Sequence, residues 1–189
     1  VISPEPGAAT APTHRVFFAL WPDTPARGML ARLSREIAHH AHGKATREDS
    51  LHITLAFVGA VPDERLAALE GIGAAAATGA APFELALERV GGTGYGIAWL
   101  SPDGLPAPLA ALHAAIAAGL ARDGFAVERR MFRPHLTLAR HCARAAQRGA
   151  VAPVRWTVER LALVESTLAA GGSRYRDVAS WPLATSPPR

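Results

Sequence analysis

Two stretches of this chain repeat one another. Leu51-His52-Ile53-Thr54-Leu55-Ala56-Phe57 and the later Phe132-Arg133-Pro134-His135-Leu136-Thr137-Leu138-Ala139-Arg140 share the pattern His-x-Thr-Leu-Ala. Each runs as alternating polar and apolar residues, and in a strand residues i and i+2 project from one face. His52 should therefore project with Thr54, and His135 with Thr137. A fold built on this repeat must bring two strands together so that two imidazoles and two hydroxyls share one cleft.

The rest of the chain supplies elements around that pair. Arg15 to Leu20 is a short apolar run suited to a buried strand. Asp23 or Thr24 can cap a helix that carries Met29, Leu30, Leu33 and Ile37, with Pro25 in its first turn. His39, His40 and His42 follow; a metal-binding tract is the alternative, but they read first as a solvated helix end, where cationic groups suit the dipole. After the first motif strand, Asp63 is placed to cap a second helix to about Thr78. Phe83 to Val90 and Tyr95 to Leu100 form a hairpin about a turn at Gly91-Gly92-Thr93-Gly94. That turn lacks the spacing and lysine of a phosphate-binding P-loop. Leu105 to Leu120 is a third helix, His141 to Arg148 a short polar helix or loop, and Trp156 to Glu165 and Ser173 to Val178 two last strands. Strands and helices segregate without regular βαβ spacing, so the class is α+β. A strand and helix recur on either side of the hairpin, which points to internal duplication with one motif per half.

With 189 residues, 49% of them hydrophobic and 19% charged, the chain can bury a core as one domain or two small lobes. Residues 1–14 read as a flexible arm, 15–184 as a single bilobed domain and 185–189 as a flexible tail. The net charge is +4, and because Lys44 is the only lysine the positive charge is nearly all guanidinium, which suits bidentate contact with phosphate. The lone cysteine, Cys142, excludes an internal disulfide framework and a cysteine-based zinc cluster. With no secretory leader and no long apolar run, a cytoplasmic protein without a membrane span is expected. No heptad demands a partner, so a monomer is expected.

Imidazole titrates near neutrality, so one histidine can serve as base while the other serves as acid. Threonine hydroxyls donate to phosphoryl oxygens as these gain charge. Arg140, three residues past Thr137, can add a charge-assisted contact by reaching back at the strand end. Arg129 and Arg130 are either a solvated basic face or a contact to a nucleic-acid backbone. A single His-x-Thr says little, since threonine favours strands and histidine is commonly a satisfied polar residue. Its repetition inside a longer match carries the weight. No carboxylate stands at ligand spacing beside either histidine, so no metal is expected, and no motif calls for another cofactor. His14, in the arm, His113, on a helix, and His141 fall outside the pattern and read as structural or solvated.

These residues make the chain similar to the 2H phosphoesterase superfamily, and within it to the bacterial and archaeal RNA 2′,3′-cyclic phosphodiesterases, also called 2′-5′ RNA ligases. The resemblance runs from Arg15 to Leu183. It includes Arg15 to Leu20, Leu51 to Gly59, Trp99-Leu100, Phe132 to Arg140, Leu163 to Ser166, Gly172, Tyr175, Trp181 and Leu183. It implies two pseudo-symmetric lobes of mainly antiparallel sheet with outer helices, around a central cleft carrying the two His-x-Thr motifs. The implied reaction opens an RNA 2′,3′-cyclic phosphate to a 2′-phosphomonoester without metal or ATP. His52 would protonate the departing 3′ oxygen, His135 would activate water, and Thr54, Thr137 and Arg140 would bind phosphate oxygens. Phe57, Arg130 and Arg133 are further candidates for base or RNA contact, with a core role for Phe57 as its alternative. The implied partner is RNA with a cyclic phosphate end, and no DNA. Related activities are weak ATP-independent 2′-5′ joining, or attack on a small cyclic nucleotide, an ADP-ribose cyclic phosphate or a 2′-5′ oligonucleotide. The competing class is a non-catalytic RNA-end binding module. Lys44 lies in no Lys-x-Asp-Gly context, so an adenylated-lysine ligase is not supported.

Overall fold

The apolar run at Arg15 to Leu20 belongs to strand β1 (Thr13–Leu20), which is covered on both faces. Val16, Phe18 and Leu20 join the main core, while Phe17 and Ala19 pack with Ala162 and Val164 on the other face. Burial on both faces is why this strand reads as a continuous apolar run and not as an alternation. In the computed structural model, which describes residues 13–170 and 172–184, β1 lies inside one antiparallel sheet. The other strands are β2 (Lys44–Ala45), β3 (Ile53–Pro62), β4 (Phe83–Gly92), β5 (Gly96–Ser101), β6 (Leu136–Cys142), β7 (Gly149–Val158), β8 (Arg160–Ala169) and β9 (Gly172–Pro182). Their order is β7-β4-β5-β6-β3-β1-β8-β9, with β2 added to β6.

Among the described residues three α-helices accompany the sheet: α1 (Thr24–His40), α2 (Leu66–Thr78) and α3 (Ala107–Arg122). Asp23 caps α1 as expected, its carboxylate accepting from the Ala26 amide at 2.8 Å, and His39 and His40 lie exposed in its last turn. Each long helix packs across the midline: α1, which follows β1, lies on β6, and α3, which follows β5, lies on β3. α2 packs on β8, β9 and α3. It approaches β9 closely because Gly73 leaves room for the Trp181 indole, which any β-carbon there would strike.

The order is symmetric about the junction of β3 and β6, with a β3-β1-β8-β9 lobe mirrored by β6-β5-β4-β7. The motif strands meet through one pair, Ile53 opposite Leu136, and these are equivalent positions of the two motifs. A local twofold through that pair exchanges His52 with His135, Thr54 with Thr137 and Phe57 with Arg140. The expected α+β class and paired lobes of antiparallel sheet are therefore what the chain forms.

Several local expectations differ. Thr13 and His14, assigned to the arm, open β1, and His14 is held between Asp63 (2.6 Å) and Glu165 (2.7 Å). Residues 1–12 and 185–189 lie outside the described residues. Asp63 accordingly does not cap α2, which begins after a short 3-10 turn with no side-chain cap. Gly91 and Gly92 lie within β4, so the hairpin turns at 93–95. Trp156 to Glu165 is not one strand. It is the end of β7 and the start of β8, broken at Glu159. Beyond His141-Cys142, which end β6, the segment to Arg148 is irregular, and the last strand extends to Pro182.

Candidate active site

Both motif histidines sit one residue before their strands, and the same hydrogen bond holds each. His52 Nδ1 lies 2.8 Å from the Ser50 carbonyl, and His135 Nδ1 lies 2.8 Å from the Arg133 carbonyl. A carbonyl can only accept, so each ring donates from Nδ1 and leaves Nε2 as the atom available for chemistry. The antiparallel register around Ile53 and Leu136 sets His52 across from Thr137 and Thr54 across from His135.

The spacing from Thr137 to Arg140 has a structural reason. Thr137 and Ala139 pair with the consecutive residues Trp99 and Ala98, so Leu138 is the extra residue of a β-bulge. Without the bulge, residues three apart would face opposite ways. With it, Arg140 pairs with Ile97 and returns to the face of Thr137. The first motif repeats this arrangement. Thr54 and Ala56 pair with Ala19 and Phe18, Leu55 is extra, and Phe57 pairs with Phe17 on the face of Thr54. Phe57 is 46% exposed, so its core alternative is set aside, and the Arg15 guanidinium lies over its ring.

The two imidazoles have unlike surroundings. His52 is enclosed by Phe17, Trp21 and Tyr175, with ring centroids 5.0, 5.2 and 5.0 Å away. That burial pushes it down to about 4, opposed by its bond to the Ser50 carbonyl and helped more weakly by the neighbouring Arg140 and His135. In the free protein at pH 7, His52 is neutral. His135 is exposed, with the Trp99 ring 5.9 Å away. Gly91 sits opposite Trp99 and permits this placement, because a β-carbon there would lie 2.5 Å from the indole nitrogen.

A cavity of about 600 Å³ opens beside His135 and Thr54, bounded by Phe57, Met131, Phe132 and Arg133 among others. The third residue of that wall, Phe132, is stacked flat on His113 at 4.0 Å, which gives His113 the structural role expected of it. Arg130, 89% exposed along its side chain, borders the same cavity near Glu128. The Arg133 contribution that the structure shows is its backbone carbonyl, which orients His135. Sequence reasoning did not assign Ser50, Phe17, Trp21 or Tyr175 to the site, although Phe17 and Tyr175 were already among the residues of the resemblance. Among the described residues, no group of three or more His, Cys, Asp or Glu side chains is assembled to hold a metal ion.

A family model described as the 2′-5′ RNA ligase superfamily matches residues 21–169. The chain belongs to that superfamily. Within it, the chain is 30% identical to an Escherichia coli protein named RNA 2′,3′-cyclic phosphodiesterase, over 90% of this chain and 97% of the relative. A Geobacillus stearothermophilus protein of the same name is 39% identical over 97 residues, a match that spans 31% of that relative. Among solved structures, Escherichia coli LigT complexed with 3′-AMP superposes with a TM-score of 0.82 at 27% identity, over 91% of this chain and 99% of that one. The nine-stranded sheet and its paired lobes are thus the superfamily's architecture.

Proposed function

We propose that this superfamily member hydrolyses RNA 2′,3′-cyclic phosphate ends to 2′-phosphomonoesters by paired-histidine acid–base catalysis. The observation that carries the reading is the pair of twofold-related imidazoles, each tethered through Nδ1 to a carbonyl two residues earlier, with hydroxyls of the opposite motif across from them. Relatives named for this activity, and a neighbour crystallised with a 3′-nucleotide, support it.

In this mechanism His135 Nε2 takes a proton from water as the water oxygen attacks phosphorus. The P–O3′ bond breaks, and His52 Nε2–H protonates the departing O3′. The 2′-ester bond stays, so the product carries a 2′-phosphate and a free 3′-hydroxyl. Thr54, Thr137 and Arg140 hold the phosphoryl oxygens, whose charge grows in the transition state. Because His52 is neutral in the free site, it takes up its proton once an anionic phosphate has entered. The phosphate's charge offsets the desolvation and the field of Arg140 that hold the ring neutral. The substrate needs a 2′-oxygen to form the cyclic phosphate, which makes RNA and not DNA the partner.

The test is an oligoribonucleotide ending in a 2′,3′-cyclic phosphate, incubated with the protein in EDTA and resolved by end chemistry. Conversion to the 2′-phosphate is expected. Replacing His52 or His135 by Ala should slow it by about 10²–10⁴-fold, and Thr54→Ala by about tenfold to a hundredfold. A cyclic end that persists across pH 5 to 9 refutes the reading.

A further inference from the structure

One recess beside the reaction centre is left unfilled by this mechanism. Next to the residues that hold His52 lies a recess of about 120 Å³, lined by Lys44, Thr46, Arg47, Ser50, Arg140 and Tyr175 among others, with no acidic residue among its described lining. It has room for about four waters, the scale of a tetrahedral oxyanion. Arg47 is braced by Asp49 at 3.0 Å and by Ser50 Oγ at 3.2 Å. A small recess walled by three cations, with no carboxylate among its described lining residues, suits an anion.

The recess adjoins the reaction centre through three shared residues. Ser50 supplies the carbonyl that holds His52, Tyr175 packs on the His52 ring, and Arg140 faces the phosphate in the proposed mechanism. On a ribose with a 2′,3′-cyclic phosphate, C2′ adjoins C1′, which bears the base, and C3′ adjoins C4′, which leads to the 5′-phosphate. Seen from the cyclic phosphate, base and 5′-phosphate leave in opposite directions. The large apolar cavity with Phe57, Met131 and Phe132 lies on the His135 side and suits a base. The 5′-phosphate is then directed to the His52 side, together with O3′, the atom that His52 protonates.

We propose that this recess is a subsite for the 5′-phosphate of the terminal nucleotide, the last internucleotide phosphodiester of an RNA strand. The inference rests on the catalytic reading for its orientation. It makes the protein selective for ends of RNA chains over cyclic mononucleotides. An anion that fills the recess accepts from the Arg47 and Lys44 cations.

Calorimetric titration of the full chain with adenosine 3′-monophosphate and with adenosine 3′,5′-bisphosphate tests it, because the second ligand adds only the 5′-phosphate. The bisphosphate should bind about tenfold more tightly, with the steeper loss of affinity on adding salt. In Lys44→Gln and Arg47→Gln the ratio of the two affinities should fall toward one. Arg155→Gln, on β7 and paired with Glu84, should keep it. A ratio near one in the unaltered protein, or a ratio that survives both substitutions, overturns the subsite. Titration needs no turnover, so the two readings fail separately. An intact ratio in a protein that leaves cyclic ends untouched sinks the catalysis alone, and an active protein with a ratio of one sinks the subsite alone.

Discussion

His52 should make the fold sensitive to mild acid, and the size of the effect follows from its surroundings. In the unfolded chain the ring titrates near 6.5, and among Phe17, Trp21 and Tyr175 it is pushed down to about 4. Between those two values the unfolded state binds the proton and the folded state does not. Stability is therefore fully present above pH 6.5 and is lost as pH falls toward 4. At about 1.4 kcal/mol per pH unit, the whole loss is about 3 kcal/mol, of which about 2 kcal/mol has gone by pH 5. His52→Asn keeps a donor for the Ser50 carbonyl and removes the titration. Urea unfolding of both proteins at pH 7.5 and pH 5 should show the unaltered protein losing about 2 kcal/mol more than the variant. The comparison cancels His113, which burial also lowers. Glu165 and Asp123 are held low by charged partners and act only at more acid pH. Parallel losses in the two proteins would refute the claim that His52 is buried as the neutral ring.

Two further outcomes follow from the same electrostatics. Binding of inorganic sulfate, whose charge is constant from pH 5 to 8, should draw a proton onto His52 at pH 6; calorimetry in two buffers of different ionisation enthalpy should show more uptake by the unaltered protein than by His52→Asn, and equal uptake would count against it. His14 behaves in the opposite sense, because Glu165 and Asp63 raise it. Its contribution is present below pH 6.5 and lost as pH rises through its raised value, so the difference in Tm between the unaltered protein and His14→Gln should shrink from pH 6 to pH 9, and a constant difference would count against the clamp.

Much of the architecture was legible because it is written in local pattern. The apolar run of β1, the Asp23 cap and the repeated His-x-Thr each act over a few residues. What escaped depends on partners far away in sequence. The bulges at Leu55 and Leu138 are set by pairing with β1 and β5, and nothing in Thr-Leu-Ala announces an extra residue. They nevertheless decide that Arg140, and not a neighbour, shares the face of Thr137. The break between β7 and β8 falls at Glu159 with neither Gly nor Pro to mark it, so two alternating strands read as one. His14 looked like part of a loose arm because Asp63 and Glu165, the residues that hold it, come from other elements. The aromatic enclosure of His52 has the same origin, since Phe17, Trp21 and Tyr175 meet only when β1 and the β8–β9 hairpin are side by side.

The division of labour between the two imidazoles is tested most directly with an RNA end whose cyclic phosphate is bridged at the 3′ position by sulfur in place of oxygen. A thiolate leaves without needing a proton, so general acid catalysis at that atom becomes dispensable while activation of water does not. His52→Ala should turn over this substrate at close to the rate of the unaltered protein, and His135→Ala should stay slow on both substrates. Rescue of His135→Ala instead, or of neither variant, would contradict the assignment of His52 as the acid at O3′ and His135 as the base.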